Sequence, residues 1–347
     1  MDPVQQWNDV EAALAFAVSR VVDDPDPLND REAADGHRYV MRILAAVTEN
    51  NLLMRDADRP AFQAMLESTR YLGASGPDID YDVATLRPGR SYRVTGRRGG
   101  ASFVGICLYD GGSAAGPAAL LDSVDVDTLD VAADGAFAWE FSHPDAVRVI
   151  VRQYFHDRAT QARGDYTIAF TDGEPAPERL PTTEQVAGEL RNVATSVRWN
   201  AQLNQLWGAE YRESPNLFVR QSAAEIAAAV PNPDVTYAFA WWKVGEGEAL
   251  VVEHRPPAGC RYWALQLCDR WFQCYPDRRS NLNDQQVVPE SDGSVRLVIS
   301  ATDPGHPNWI DTGGHTIGTM FFRWLHTDPE VLPTCTVVPV AEVVPPA

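Results

Sequence analysis

Two stretches with the alternation typical of β-strands, followed by the same landmarks, constrain the fold more than any other feature. SYRVTGRRGGASFVGICLYD (91–110) aligns without a gap with LVVEHRPPAGCRYWALQLCD (250–269), at an offset of 159 residues. An Asp-Gly pair follows each stretch, at 134–135 and at 292–293, and fits a hairpin turn before a strand. Because polar and apolar residues alternate with a period of two, the chain is predicted to contain two related β units.

The second unit contains an insertion that the first one lacks. Arg152 in VRQYFHD and Arg323 in FRWLHTD are the next matching residues, and their offset is 171 residues. About a dozen residues have therefore been added before the last strand, and they include DPGHPNWIDTGGH (303–315). Strands hold a β-sandwich together, so a long loop added to them is predicted to carry function.

The rest of the chain divides around these two units. We predict an N-terminal helical segment over 1–80, a first β-sandwich domain over 81–172, a Pro-rich linker with helices over 173–234, and a second β-sandwich domain over 235–347 with the inserted loop. The predicted fold class is mainly β with accessory helices, a multidomain α+β chain with two β-sandwich or jelly-roll-like domains.

Capping-box patterns predict two helices in the linker. Thr182 with Gln185, and Ser222 with Glu225, have the spacing at which side chain and backbone cap each other at a helix start. Apolar residues at helical spacing follow the first of these boxes, which supports a helix there.

Charge and cysteine content exclude several classes of protein. A formal net charge of −19 and a pI of about 4.7 disfavour nucleic acid and anionic membranes, because both partners require a basic face. Five cysteines without a close CxxC pair indicate neither a disulfide framework nor a zinc knuckle. With no signal-peptide pattern and no apolar run of membrane-spanning length, we predict a cytoplasmic protein. Its predicted partner is a small molecule, and a homo-oligomer stays open.

The C-terminal third contains several motifs in a fixed order: PNLF (215–218), EALVVEHRPP (248–257), CRYWALQLCDRW (260–271) and the run from DGSVRL to FFRW (292–324). With these motifs the chain resembles the domain-of-unknown-function family numbered 1214, in its long form with an N-terminal helical and β segment. The resemblance covers residues 195–340 and extends more loosely over 30–170. It implies two β-sandwich or jelly-roll-like domains with accessory helices, and it implies no activity.

Four polar or aromatic residues of the loop 303–315 are candidates for chemistry. His315 is the predicted acid or base, Asp311 its orienting partner and Asn308 a substrate donor, with Trp309 beside the ligand. A structural alternative remains open, in which Trp309 plugs the end of the sandwich. The other three side chains would then satisfy backbone groups of the loop.

The strand over 262–268 and the segment after it supply further candidates. Tyr262 and Gln266 share one face and Trp263 lies on the other, which suggests a polar-lined cavity inside the sandwich. An ordinary sheet with one solvated edge residue is the alternative. Arg278 is a predicted anion or oxyanion clamp, or else an ion-pair partner of Asp277 or Asp269. Asn281 and Asn283 complete the predicted substrate-binding set.

Standard cofactor and nucleophile motifs are missing from the sequence. It contains no GxSxG, GxGxxG, GxxxxGK[ST] or HExxH pattern, and the spacing of His306 and His315 fits no common zinc site. We therefore predict no metal and no cofactor. Glu253 and Arg323 lie in apolar strands and are predicted to pair with each other across the sheet. The alternative is that one of them faces a ligand.

These observations favour a cofactor-independent enzyme of the hydrolase, lyase or isomerase type. It would act on a small organic metabolite in a pocket of the C-terminal β domain, with His315, Asp311 and Arg278 as catalytic residues. Two alternatives remain open: a non-catalytic binder of carbohydrates or apolar metabolites, and an oligomeric interaction module.

Overall fold

The part of the chain that the structure describes is mainly β with three α-helices, which confirms the predicted class of a mainly β chain with accessory helices. The computed structural model describes residues 3–53, 56–66, 72–73, 75–111, 118–177, 180–221, 232–275 and 277–346. Its helices are α1 (Pro3–Val22), α2 (Asp30–Leu53) and α3 (Thr183–Arg212). The segment predicted to be helical over 1–80 is helical only as far as Leu53. Strand β1 (Gln63–Leu66) lies wholly within it, and strand β2 (Ile79–Thr85) begins within it.

Helix α3 begins where its sequence predicts. The Thr182 side chain accepts a hydrogen bond from the backbone N–H of Gln185, and the Gln185 side chain accepts one from the backbone N–H of Thr182. This reciprocal capping box satisfies two of the N–H groups that a helix start leaves without a partner. The second predicted box, Ser222 with Glu225, lies outside the described residues.

The N-terminal β unit contains eight strands in two antiparallel sheets. One sheet has the order β1-β2-β7-β4-β5, and the other has the order β6-β3-β8. The strands are β1 (Gln63–Leu66), β2 (Ile79–Thr85), β3 (Ser91–Arg97), β4 (Phe103–Tyr109), β5 (Leu120–Asp125), β6 (Ala136–Ser142), β7 (Arg148–Tyr154) and β8 (Asp165–Phe170).

Nine strands form the C-terminal β unit within the described residues, and they repeat this arrangement. Its sheets have the orders β13-β12-β16-β10-β9 and β15-β14-β11-β17. The strands are β9 (Val219–Arg220), β10 (Val235–Lys243), β11 (Glu248–His254), β12 (Trp263–Cys268), β13 (Asn281–Asn283), β14 (Val295–Ser300), β15 (Trp309–Asp311), β16 (Ile317–Leu325) and β17 (Thr334–Pro339).

The two units have the same strand order once β15 is set aside. The aligned stretches fall on β3 with β11 and on β4 with β12, and the strands after the Asp-Gly turns are β6 and β14. Strand β15 lies within the inserted loop and pairs with β14 in parallel. The insertion therefore adds an edge strand to one sheet.

Each unit buries an apolar core between its two sheets. In the N-terminal unit Val94 of β3 packs with Ile106 and Val151 of the opposite sheet. In the C-terminal unit Leu250 of β11 packs with Leu265 of β12 in the same way. Burying one such aliphatic side chain contributes about 1.5–3 kcal/mol, so the alternation in the sequence is sufficient to drive each pair of sheets together.

The outer faces of the two five-stranded sheets pack against each other, and we call this contact the seam. Ile79 and Tyr154 of the N-terminal unit share one buried cluster with Val235, Tyr262 and Leu325 of the C-terminal unit. The second face of each large sheet is therefore buried as well, which explains why β7 and β16 have almost no exposed residue.

The three helices form a layer against the C-terminal unit. Val10 of α1, Ile43 of α2 and Val197 of α3 belong to one buried cluster, which also includes Trp271 of the C-terminal unit. No helix of the described ranges combines the length and apolar character needed to cross a membrane.

The predicted pairing of Glu253 with Arg323 is wrong. Glu253 is exposed on β11, where its register neighbours are Arg296 and Thr334. Arg323 lies on β16 in the other sheet and is buried. The two strands belong to different sheets, so no cross-strand pair can form between them.

Candidate functional site

A buried carboxylate in the seam gathers three of the predicted binding residues. Oδ2 of Asp78 accepts hydrogen bonds from the Tyr262 hydroxyl at 3.1 Å, from Nδ2 of Asn281 at 2.7 Å and from Nδ2 of Asn283 at 2.8 Å. Asp78 immediately precedes β2 of the N-terminal unit, whereas its three donors come from the start of β12 and from β13. The acid is therefore held across the seam.

Burial changes the acidity of Asp78. It raises the pKa of this carboxyl above its usual value, and the hydrogen bonds from Asn283, Asn281 and Tyr262 lower the pKa without offsetting that increase. A carboxyl that is fixed in position and holds a proton more tightly than usual is suited to general acid chemistry.

A buried guanidinium, that of Arg323, contacts the segment that carries Asp78. Nη1 of Arg323 donates to Oε1 of Gln266 at 2.7 Å, and Nε2 of Gln266 donates to the carbonyl of Ser75 at 3.1 Å. A Cβ added at Gly76 would overlap Nη1 of Arg323. Because Gly76 is only two residues from Asp78, the segment around 75–78 brings the cation and the acid into one region of the seam.

A second buried guanidinium faces the seam from the N-terminal unit. Nη1 of Arg152 donates to the Tyr109 hydroxyl at 2.9 Å, and Tyr81 lies under the Arg152 guanidinium, 5.8 Å from ring centroid to Cζ. Burial lowers the pKa of Arg152 and of Arg323. Electrostatic interactions with nearby groups, among them Tyr81 and Tyr154 in both cases, raise it by more, so the pKa of each guanidinium is raised overall. Both guanidiniums thus remain charged among shared aromatic neighbours.

The faces of β12 are assigned correctly by the sequence, but the location of the polar face is not. Trp263 and Leu265 point into the core of the C-terminal unit, and Tyr262 lies in the seam cluster. The polar face with Tyr262 and Gln266 therefore looks into the seam and not into the interior of a sandwich. Trp263 itself is a core residue, 3% exposed and packed on His254.

His315 is buried, and the carboxylate bonded to it is Asp35 of α2. Its Nε2 lies 3.1 Å from Oδ2 of Asp35, and its ring centroid lies 5.0 Å from that of Tyr275. Asp311, the predicted orienting partner, accepts instead from the backbone N–H of Gly313 at 2.7 Å. The sequence could not show this partner, because Asp35 is 280 positions away along the chain.

Arg278 forms ion pairs with two carboxylates of the same surface. Its Nη2 lies 3.1 Å from Oδ2 of Asp277, and its Nη1 lies 3.3 Å from Oδ2 of Asp311. Of the two predicted ion-pair partners, Asp277 is the one bonded to Arg278. The guanidinium therefore fixes the start of the Gly-Gly turn at 313–314.

Asn308 and Trp309 make bonds that hold the inserted loop. Asn308 is fully buried; Nδ2 donates to the carbonyls of Val288 and Arg296 at 2.8 and 2.9 Å, and Oδ1 accepts from the Val288 N–H at 2.7 Å. Nε1 of Trp309 donates to the Ser300 carbonyl at 3.1 Å. These contacts match the structural alternative for the loop; ligand binding by either side chain stays a prediction.

An open groove lies beside the inserted loop but outside the predicted site. Its volume is about 430 Å³, and none of the ten predicted site residues lines it. Its lining consists of Pro215, Asn216, Lys243, Val244, Gly245, Glu248, Thr316 and Ile317. Among the residues that the structure describes, no three His, Cys, Asp or Glu side chains are grouped so that they could hold a metal ion.

Sequence reasoning missed Asp78, the acid of the seam, and Arg152, one of the two buried guanidiniums there. Asp78 precedes a strand in an ordinary turn sequence, and nothing local distinguishes it from other aspartates. Arg152 could have been found, because it aligns with Arg323 and follows the apolar residues Val149, Ile150 and Val151. A charge at the same place in both units is a signal that the repeat pattern provides.

Comparison with known proteins corrects the predicted family and supports the fold. The family model that matches is "Protein of unknown function (DUF1254)", over residues 216–330, so the predicted family numbered 1214 is wrong. No curated protein matches the chain.

Two solved structures are similar to the whole chain. An uncharacterized protein from Burkholderia cenocepacia is 28% identical, with 98% of each chain covered and a TM-score of 0.90. The VPA0106 protein from Vibrio parahaemolyticus is 10% identical, with 94% of this chain and 100% of that chain covered and a TM-score of 0.50, and it shows the fold alone. The chain is thus similar to uncharacterised proteins and to a family whose function is not known.

Proposed function

We propose that the chain is a cofactor-independent enzyme that acts on a small organic anion in the seam. The observation that carries this proposal is the buried Asp78, whose pKa is raised. Gly76, two residues before it, contacts the Arg323 guanidinium. Asp78 is the proton donor in this proposal, and Arg323 binds the anionic group of the substrate. The site lies between the two β units and not inside the C-terminal one.

The donors on Asp78 support its role as an acid. Tyr262, Asn281 and Asn283 all point at Oδ2, so the orientation of the carboxyl is fixed before a substrate arrives. Preorganised groups of this kind lower the barrier because they need no rearrangement during the reaction. General acid catalysis by a positioned carboxyl typically accelerates a reaction about 10²–10⁴-fold.

The two guanidiniums support an anionic substrate. Arg152 and Arg323 are both buried and both charged, and their shared tyrosines supply hydroxyl groups and aromatic faces around them. A guanidinium binds a carboxylate or phosphate through two parallel hydrogen bonds, and it does so more strongly away from water. A carboxylate-bearing metabolite is the simplest molecule with this chemistry.

Thermal shift in the presence of small carboxylates tests the binding part of the proposal. Acetate, succinate, citrate and benzoate are added separately to the full chain, and at least one is expected to raise the melting temperature. Arg323→Lys should abolish the shift, whereas Asp277→Asn, which removes a surface carboxylate, should retain it. Binding that is equal in Arg323→Lys and the unaltered chain would overturn the assignment.

Turnover tests the catalytic part separately. The full chain is incubated with a mixture of carboxylate-bearing metabolites, and depletion is followed by mass spectrometry. Asp78→Asn keeps an oxygen that can accept the same three hydrogen bonds but cannot donate an acidic proton, so depletion should fall at least about 10²-fold. Unchanged depletion by a folded Asp78→Asn chain would rule out Asp78 as the acid. Carboxylate binding without depletion would make the chain a binder.

A further inference from the structure

A serine, a histidine and an aspartate lie side by side at the edge of the seam, and a hydrogen bond joins the first two. Oγ of Ser102 lies 2.6 Å from Nδ1 of His156, and Nε2 of His156 lies 3.0 Å from Oδ1 of Asp284. Ser102 precedes β4, His156 follows β7, and Asp284 follows β13 of the other unit. These three side chains therefore meet only when the two β units are packed together.

The hydrogen bonds determine which ring nitrogen of His156 can act as a base. If the Ser102 hydroxyl donates to Nδ1, the proton of the neutral ring is on Nε2 and faces Asp284. Nε2 of His156 lies 3.0 Å from Oδ1 of Asp284, within the range of an ion pair, but the two atoms are not aligned for a hydrogen bond. Such bonds are often poorly aligned before a substrate binds.

These positions match the roles of a nucleophile, a base and an orienting acid. In the well-known triads Nε2 contacts the serine and Nδ1 contacts the acid, and here the two nitrogens are exchanged. What defines the roles is the order of contacts, from hydroxyl to imidazole to carboxylate, and this order is the same. No GxSxG motif accompanies Ser102, so sequence motifs could not detect the arrangement.

A glutamine fixes the nucleophile and the base in relation to each other. Nε2 of Gln161 donates to Oγ of Ser102 at 3.0 Å, and Oε1 of the same side chain accepts from the backbone N–H of His156 at 2.7 Å. The amide of Gln161 thus holds the Ser102 hydroxyl beside the backbone of His156, so the nucleophile and the base keep a fixed relation.

Access to solvent distinguishes these three side chains from a buried structural link. The His156 side chain is 19% exposed and that of Asp284 is 17% exposed, and Ser102 is half-buried. A small molecule can therefore approach from the edge of the seam. Because most of each side chain is covered, only a small acyl group would fit against the hydroxyl.

We propose that Ser102 is a nucleophile for the hydrolysis of small carboxylic esters, with His156 as base and Asp284 as a positioning residue. Oγ of Ser102 attacks the carbonyl carbon while its proton moves to Nδ1 of His156, and the C–O bond to the alcohol then breaks as the alcohol takes that proton. Water attacks the resulting acyl-serine in the same way and releases the acid and free Ser102. The sum is ester plus water to acid plus alcohol, with no redox change.

Covalent labelling of the full, unaltered chain is the deciding measurement. Diisopropyl fluorophosphate should form a bond between its phosphorus and Oγ of Ser102 with release of fluoride, and mass spectrometry of the digested chain should locate the added group on Ser102. p-Nitrophenyl acetate should give a burst of p-nitrophenol as the acyl-serine forms. A folded chain that carries no label on Ser102 after prolonged incubation would overturn the proposal.

Variants assign the three roles. Ser102→Ala and His156→Gln should each lower the rate of ester hydrolysis at least about 10²-fold. Asp284→Asn should lower it less and change the acid limb of the pH–rate profile, a change that a merely structural Asp284 would not cause. Ser294→Ala removes a serine that bonds to an aspartate but to no histidine, and it should keep full labelling and rate. Full hydrolysis by Ser102→Ala would overturn the assignment.

This proposal does not depend on the function proposed above. Labelling reads the reactivity of Ser102 alone, whereas the thermal shift reads carboxylate binding near Arg323. A chain that shifts with carboxylates but takes no label would retain the seam site and lose the esterase assignment, and the reverse result would do the opposite.

Discussion

Nε2 of His315 lies 3.1 Å from Oδ2 of Asp35 and joins the inserted loop to helix α2. Two hydrogen bonds flank this contact: Nδ2 of Asn29 donates to the Gly314 carbonyl at 3.1 Å, and the Thr316 N–H donates to Glu32 at 3.0 Å. The segment that extends the C-terminal unit is thus also the segment on which the helical layer rests.

Loss of the His315–Asp35 contact should destabilise the chain. His315→Ala leaves the buried carboxylate without one of its donors, so we expect a loss of about 1–3 kcal/mol in the free energy of unfolding, measured with urea. Asp35→Asn should cost a similar amount, and the double variant should cost less than the sum because the two residues form one contact. Strictly additive losses would contradict a direct interaction.

Asn308 should be a stabilising residue of the inserted loop. Asn308→Ala leaves two carbonyls and one N–H without this partner, and we expect a loss of about 1–3 kcal/mol in urea unfolding. Asn308→Asp is the matched variant, since it keeps the acceptor for the Val288 N–H and loses only the two donors. Stability equal to that of the unaltered chain in Asn308→Ala would mean that the loop does not need this amide.

Asp269 should make the chain less stable at neutral pH than near pH 4. Burial raises the pKa of this carboxyl from 3.8 to about 6, so the folded state holds the proton more tightly than the unfolded state. Its stabilising contribution is therefore complete below the unfolded pKa and is lost as pH rises through about 6. Asp269→Asn keeps an oxygen for the Trp271 and Gln273 N–H groups and should be more stable by about 1–3 kcal/mol at pH 7.

The comparison of Asp269→Asn with the unaltered chain needs a pH series. Chemical unfolding at steps between pH 4 and pH 8 should show the difference in stability growing with pH and vanishing near pH 4. A difference that is constant across this range would show that the carboxyl does not titrate within it.

His254 should have the opposite effect in acid. Burial among Trp263, Phe322 and Trp324 lowers the pKa of this imidazole from 6.5 to about 3, so the folded state excludes a proton that the unfolded state accepts. Its contribution is complete above pH 6.5 and falls as pH drops towards 3. At pH 4.5 we expect about 2–3 kcal/mol to be lost, and His254→Gln should remove this slope in acid unfolding. An unchanged slope would mean that other groups cause it.

Gly76 should be required for the position of the Arg323 guanidinium. Gly76→Ala places a methyl group where Nη1 of Arg323 lies, and overpacking of this kind costs about 1–3 kcal/mol. Gly188→Ala is the control, because nothing lies within 4 Å of the added Cβ and alanine favours the helix. Thermal unfolding should therefore show opposite shifts for the two variants, and equal shifts would contradict the close contact at Gly76.

The sequence determined the strands because their signal is local. Alternation placed Trp263 and Leu265 on one face of β12 and Tyr262 and Gln266 on the other, and the structure confirms both faces. The capping box at Thr182 likewise acts over three residues, and it begins a helix where predicted. The alternation does not say what covers the second face, so the polar side of β12 was placed inside a sandwich.

The residues that meet in the seam come from places far apart in the chain. Asp78 is separated by 184 positions from Tyr262 and by 205 from Asn283, and no periodicity links them. Arg152 and Arg323 were recognisable as equivalent positions, but their burial on facing sheets depends on how the two units pack. His315 was recognised as a candidate, and its partner Asp35 was not.

The sequence alone determined which stretches form the strands of each β unit, where helix α3 begins and where a segment was added. These features follow from neighbouring residues and their spacing. Only the tertiary structure decided which side chains share an environment. Two sheets whose strands bury residues on both faces must pack the second face against another element, and that packing brought Asp78 to Tyr262 and His156 to Asp284.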